Sequence, residues 1–128
     1  MSTNGGMTNN ERLELKMLVA CMCNSLQCAK DCVEASTPVN FFNNIPLSIA
    51  VHNKNFKVVK YLISQGAQLE INALHITTGN ITSFAGLIEN IKKANKQDFN
   101  DIILLFFRNK DYKSIKYIVD YIRGEKND

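Results

Sequence analysis

Residues 45–70 read IPLSIAVHNKNFKVVKYLISQGAQLE, and the reading of this stretch decides the fold. Its spacing predicts two short helices joined by a tight turn. The first covers about residues 46–53 and opens on Pro46, whose missing N–H has no helical partner to lose in a first turn. Leu47, Ile49, Ala50 and Val51 are its apolar residues, and the polar run His52-Asn53-Lys54-Asn55 ends it. In the second helix Phe56, Val59, Leu62 and Ile63 recur at the spacing of one helical face. Gly66 stops it, because glycine enters the left-handed region at no steric cost.

These residues resemble an ankyrin repeat, whose signature runs T-P-L-H-x-A-A, a polar turn, x-V-V-x-x-L-L, then G-A-D-x-N. Pro46, Leu47 and Ala50 match its opening, Val58, Val59, Leu62 and Ile63 its second helix, and Gly66-Ala67 its close. The departures are Ile45 for Thr, Ser48 for His and Lys54 for the turn Gly. The first two remove side-chain hydrogen bonds that tie neighbouring repeats together in that family.

The stretch recurs along the chain. A slide of 56 residues lays 53–63 on 109–119 with five of eleven residues identical and the apolar spacing kept. A backward slide of 30 sets Ala20 on Ala50, Leu26 on Phe56, and Ala29, Cys32 and Val33 on the second helix. A slide of 25 puts Thr78-Gly79-Asn80-Ile81 on the turn and Phe84, Leu87 and Ile88 on the second-helix face. Four units follow, at about 11–40, 41–70, 71–97 and 98–124, the second regular and the rest degenerate. The short third unit suggests a trimmed hairpin, with Ala73-Leu74-His75 in the role of Pro-Leu-His. The expected fold is all-α, an ankyrin-like helical-repeat solenoid of about four helix-turn-helix units. Each unit is too small to bury its apolar face alone, so stacking must make the core.

A chain of 128 residues, 45% apolar and 21% charged, is long enough for one domain with a real core. Residues 1–10 are polar and glycine-containing, without the basic and apolar segments of a signal peptide, and are expected to be a disordered tail. A second short tail is expected at 125–128. No apolar run exceeds the seven residues of 17–23, with six at 102–107, far below the roughly 18 a membrane span needs. The expected setting is cytoplasmic, a host cytoplasm included. Run 102–107 is apolar nearly all round, which a terminal cap should not be. Either the preceding segment covers it, or it meets a partner or a second copy, so a homodimer through Ile102 to Phe107 is an alternative.

Cys21, Cys23, Cys28 and Cys32 invite a zinc or redox reading, since thiolates bind zinc and exchange disulfides. Their spacing does not repeat the paired C-x2-C of zinc ribbons. The repeat register sets Cys21, Cys28 and Cys32 on the core positions Val51, Val58 and Leu62, which favours packing as small hydrophobes; only Cys23 falls on a turn. His52 and His75 are the only histidines, and Cys23 with His52 lacks a third orienting group and an oxyanion hole. No glycines form a phosphate loop. No enzyme, cofactor or metal site is expected.

Lys92, Lys93 and Lys96, and Lys110, Lys113 and Lys116, are basic clusters, and a small helical nucleic-acid-binding protein is the alternative they raise. Asp98, Asp101, Asp111 and Asp120 interleave with them and favour a solvated face. The +3 net charge permits an acidic partner without requiring one.

What the ankyrin resemblance implies is a non-catalytic protein-binding module. Its partner would lie in the groove lined by helix ends and turns, here Met22, Cys23, His52, Asn53, Thr77, Thr78, Arg108 and Asn109. Phe41 and Phe42 fall in the loop before the regular repeat, as a plug or as an interface anchor. Short, degenerate, Asn/Lys/Ile-rich proteins of this kind resemble ankyrin proteins of large DNA viruses and intracellular bacteria, which act on host signalling or defence proteins.

Overall fold

A computed structural model describes residues 6–69 and 84–127. Among these residues there are seven helices and no strand: α1 (Asn9–Cys23), α2 (Leu26–Glu34), α3 (Phe41–His52), α4 (Phe56–Ser64), α5 (Phe84–Lys92), α6 (Lys96–Arg108) and α7 (Tyr112–Asn127). The protein is all-α and ankyrin-like.

The deciding stretch folds as its spacing requires. In α4, Val58, Val59, Leu62 and Ile63 are fully buried, and Gly66 takes the left-handed conformation at φ 98°. α3 begins five residues ahead of Pro46 with an irregular turn in which Phe42 and Asn44 have φ of 49° and 65°. Pro46, lacking an N–H, leaves the preceding turn without one regular helical bond.

Two repeat registers are visible in the backbone. Asn24, Lys54 and Lys110, related by the slides of 30 and 56, turn their chains with φ of 58°, 60° and 59°. The pairs α1–α2, α3–α4 and α6–α7 share this corner.

The helices stack in two layers. α1 packs on α3 and α3 on α5, while α2 packs on α4 and α4 on α6. α7 closes against α6, and Lys92 of α5 lies over the Tyr121 ring of α7 at 5.7 Å. The slide of 25 therefore misassigns α5. It stands beside α3 in the first-helix layer, and α6 completes its tier, a grouping unlike units 71–97 and 98–124. The apolar positions Leu87, Ile88 and Ile91 are all buried, and such a face reads alike in either layer. The stretch Ala73-Leu74-His75 and the turn at 78–81 lie outside the described residues.

Helix reaches into both expected tails, 1–10 and 125–128. α1 starts at Asn9 because Thr8 and Glu11 form a reciprocal capping box: Glu11 N–H donates to Thr8 Oγ1 (3.1 Å) and Thr8 N–H to Glu11 Oε1 (2.8 Å). α7 runs on to Asn127.

The apolar run in α6 is largely consumed by packing. Ile102 and Phe106 are fully buried and Ile103 and Leu105 half-buried, leaving Leu104 and Phe107 about half exposed. Phe107 also meets Tyr112 edge-to-face at 5.6 Å. The chain itself covers most of the run, and only Leu104 and Phe107 of these six side chains stay largely on the surface.

Candidate binding edge

Asparagine amides lock one tier to the next. Asn55 Nδ2 donates to the carbonyls of Cys21 (2.6 Å) and Met22 (3.0 Å), at the end of α1. Asn90 Nδ2 donates to the carbonyl of His52 (3.0 Å), at the end of α3. Helix ends leave carbonyls without intrahelical partners, so each amide satisfies groups that would otherwise need water. The result is one edge of the stack on which the helix-turn corners are held in register. Met22 and Cys23, then His52 and Asn53, then the turn after α5 follow each other along it.

The side chains on this edge are available. Met22 is 58% exposed, Cys23 and Asn53 are exposed, and His52 is half-buried. Asn53 Nδ2 donates back to the Ile49 carbonyl at 2.8 Å, which fixes its amide with the carbonyl oxygen left for a partner.

Arg108 and Asn109 do not join them. Asn109 Nδ2 donates to the carbonyl of Ile63, at the far end of α4, so the α6–α7 corner lies on the opposite edge. Arg108 is exposed there and helps line a shallow cleft of about 230 Å³ with Lys60, Asp101, Leu104 and Leu105. Phe41 and Phe42 share that side, since they begin α3 where His52 ends it, a distance of roughly 15 Å along the helix axis. The aromatic pair splits its roles. Phe41 is 9% exposed and plugs the core, whereas Phe42 is 64% exposed, edge-to-face on Phe41 at 5.2 Å. A bulky side chain at positive φ costs about 1–3 kcal/mol, so the surrounding turn holds Phe42 outward at some expense. Thr77 and Thr78 lie outside the described residues.

The cysteines follow the repeat register. Cys21 and Cys32 are buried, Cys28 half-buried and Cys23 exposed, all as free thiols. Among the described residues no three His, Cys, Asp or Glu side chains gather as a metal site would need. Cys32 Sγ–H points at the Leu13 carbonyl at 3.5 Å. Burial, with a smaller push from Cys32, drives the Cys21 thiol up from its usual value near 9 to about 12. The unfolded chain loses this proton first, so stability is full below about pH 9 and falls as pH rises toward 12. The limiting slope is about 1.4 kcal/mol per pH unit. Urea unfolding at pH 8 and pH 10 should show the loss, and Cys21→Ala should remove most of it. Cys23 should react with iodoacetamide well before Cys21.

Two layers of stacked helix pairs with an exposed edge of corner residues define a helical-repeat architecture. Residues 42–76 match the ankyrin-repeat family model. Over 60 residues the sequence is 42% identical to an ankyrin repeat protein of Acanthamoeba polyphaga mimivirus, a match that spans 47% of this chain and 18% of that relative. No solved structure matches the chain. Residues 42–76 thus match one ankyrin repeat, which stacks with further helix pairs, and ankyrin repeats typically bind other proteins. Among the described residues no helix is long and apolar enough to cross a membrane.

Proposed function

We propose that this protein is a non-catalytic binding module that occupies the surface of another protein along the edge formed by Met22, Cys23, His52 and Asn53. The observation that carries this reading is the interlocked corner edge. Its main chain is fixed by Asn55 and Asn90, while its side chains stay out of the core. A surface fixed before contact loses little conformational entropy on binding, which favours affinity. Phe42, Arg108 and Asn109 belong to a second surface on the opposite edge, with Phe42 as its anchor. The mimivirus relative supports a viral setting, in which the partner is a host signalling or defence protein and the site of action the host cytoplasm.

Affinity capture from host cytosol, with mass spectrometry, tests the assignment of edges. The wild type is set beside Met22→Ser/His52→Ala/Asn53→Ala and beside Phe42→Ser/Arg108→Ala, each checked for unchanged helicity and melting. The partner retained by wild type should fall by about tenfold or more with the corner-edge variant and less with the other. The reverse pattern would move the site to the Phe42 edge. Sedimentation at two concentrations accompanies it and should show a monomer, since α6 is largely covered; a dimer dissociated by Phe107→Ser would restore the homodimer alternative.

A further inference from the structure

Among the described residues no carboxylate pairs with the lysines of the corner edge. α3 and α5 stand side by side with Asn90 bonded to His52, which brings Lys54, two residues past His52, level with Lys93. α4 and α6 likewise stand side by side, and Lys60, one turn into α4, reaches Asp98 (2.7 Å) and Asp101 (3.3 Å) in the first half of α6. That contact sets Lys57 level with Lys96. Lys54, Lys57, Lys93 and Lys96 are all exposed. Neighbouring helices pack about 8–10 Å apart, so the four make a compact basic patch across two tiers.

The acidic residues that interleave with these lysines in sequence do not offset them in space. Asp98 and Asp101 are taken by Lys60, Asp120 by Lys116 (2.6 Å), and Glu89 by Lys92 (3.0 Å). Asp111 is buried and accepts from the Ser114 N–H at 3.2 Å. Lys57 and Lys96 also lie in the first turns of α4 and α6, where the helix dipole disfavours a cation. Neither an ion pair nor the helix itself accounts for their placement.

We infer that the patch formed by Lys54, Lys57, Lys93 and Lys96 receives an acidic segment, rich in Asp or Glu, of the partner protein. This rests on the reading of the corner edge as a protein-binding surface and names the chemistry of what binds there. A protein segment fits better than nucleic acid because, among the described residues, no exposed Phe or Tyr stands on this edge. Phe56, beside Lys57, is packed against the core. The exposed aromatics Phe42, Phe107 and Tyr112 belong to the opposite edge, at the start of α3 and the α6–α7 corner, whereas single strands are held by bases stacked on aromatic faces.

Fluorescence anisotropy with the full chain and a short labelled peptide of alternating glutamate and serine tests this. A glutamine-for-glutamate peptide and a labelled oligothymidylate run alongside. The acidic peptide should bind, weaken as salt rises, and lose about tenfold or more in affinity with Lys54→Asn/Lys57→Gln/Lys93→Gln/Lys96→Gln. Asparagine at 54 keeps the left-handed turn. Lys30→Gln/Lys110→Asn/Lys113→Gln, which removes charge elsewhere, should change it little. Equal binding of the glutamine peptide, no binding of either, or equal losses in both variants would overturn the inference. So would oligothymidylate binding more tightly than the acidic peptide. A partner captured through Met22 and His52 but indifferent to the four lysines would leave the binding module standing and remove only this inference.

Discussion

Phe106→Ala lowers the unfolding free energy by about 3–5 kcal/mol, while Phe107→Ala at the adjoining residue changes it by less than about 0.5 kcal/mol. Phe106 is the largest of the fully buried side chains. It belongs to α6, which packs on α4 and under α7, so truncation opens a cavity where three helices meet. Phe107 is about half exposed and rests mainly against Tyr112. The two substitutions delete the same atoms from the same helix, so the difference between them reads burial: the area each ring removes from water and the cavity its loss leaves. Urea denaturation followed by circular dichroism gives both values. Against a total stability of roughly 5–15 kcal/mol, the first leaves the chain near its folding threshold. Similar losses at both positions would mean that α6 does not present Phe106 to α4 and α7, and the two-layer stack would need redrawing.

The second large effect lies between tiers. Asn55→Ala removes a donor shared by the carbonyls of Cys21 and Met22, and is expected to cost about 1–3 kcal/mol because the partners left behind are partly buried. Asn53→Ala, two residues earlier, gives up only a bond to its own helix at Ile49 and should cost about 0.5 kcal/mol or less. The Asn55 loss should be local in character. Amide hydrogen exchange should quicken in α1 and α2 more than in α4 and α6, since the first tier loses its tether. Uniform quickening across all tiers would show instead that the stack opens as one unit.

The regular repeat was legible because its features are local. Pro46, the apolar spacing through Ile63 and Gly66 act within one or two turns of chain, and residues 45–69 fold accordingly. The slides of 30 and 56 were legible for the same reason, since a corner of fixed backbone shape repeats at Asn24, Lys54 and Lys110. The capping box at Thr8 and Glu11 was equally local, and its T-x-x-E pattern was there to find. What escaped was layer membership. An apolar face such as that of α5 specifies that a helix is buried on one side, but not against which neighbour.

The same limit divides the proposed binding surface. Repeat alignment groups Met22, Cys23, His52 and Asn53, and these four do occupy equivalent corners of adjacent tiers. It grouped Arg108 and Asn109 with them because their local sequence is equivalent, although α6 stands in the second-helix layer and turns its corner to the opposite edge. The interleaved aspartates likewise argued for a solvated face, whereas Lys60 draws Asp98 and Asp101 aside and leaves Lys54, Lys57, Lys93 and Lys96 without an acidic partner among the described residues. By itself the sequence determined the helices, the corners and the ankyrin-like repeat, through propensity and spacing that act over a few residues. Only the tertiary structure decided which helix stacks on which and where charge is left unpaired, because both depend on contacts between residues some 40 positions apart, such as Asn90 with His52 and Lys60 with Asp101.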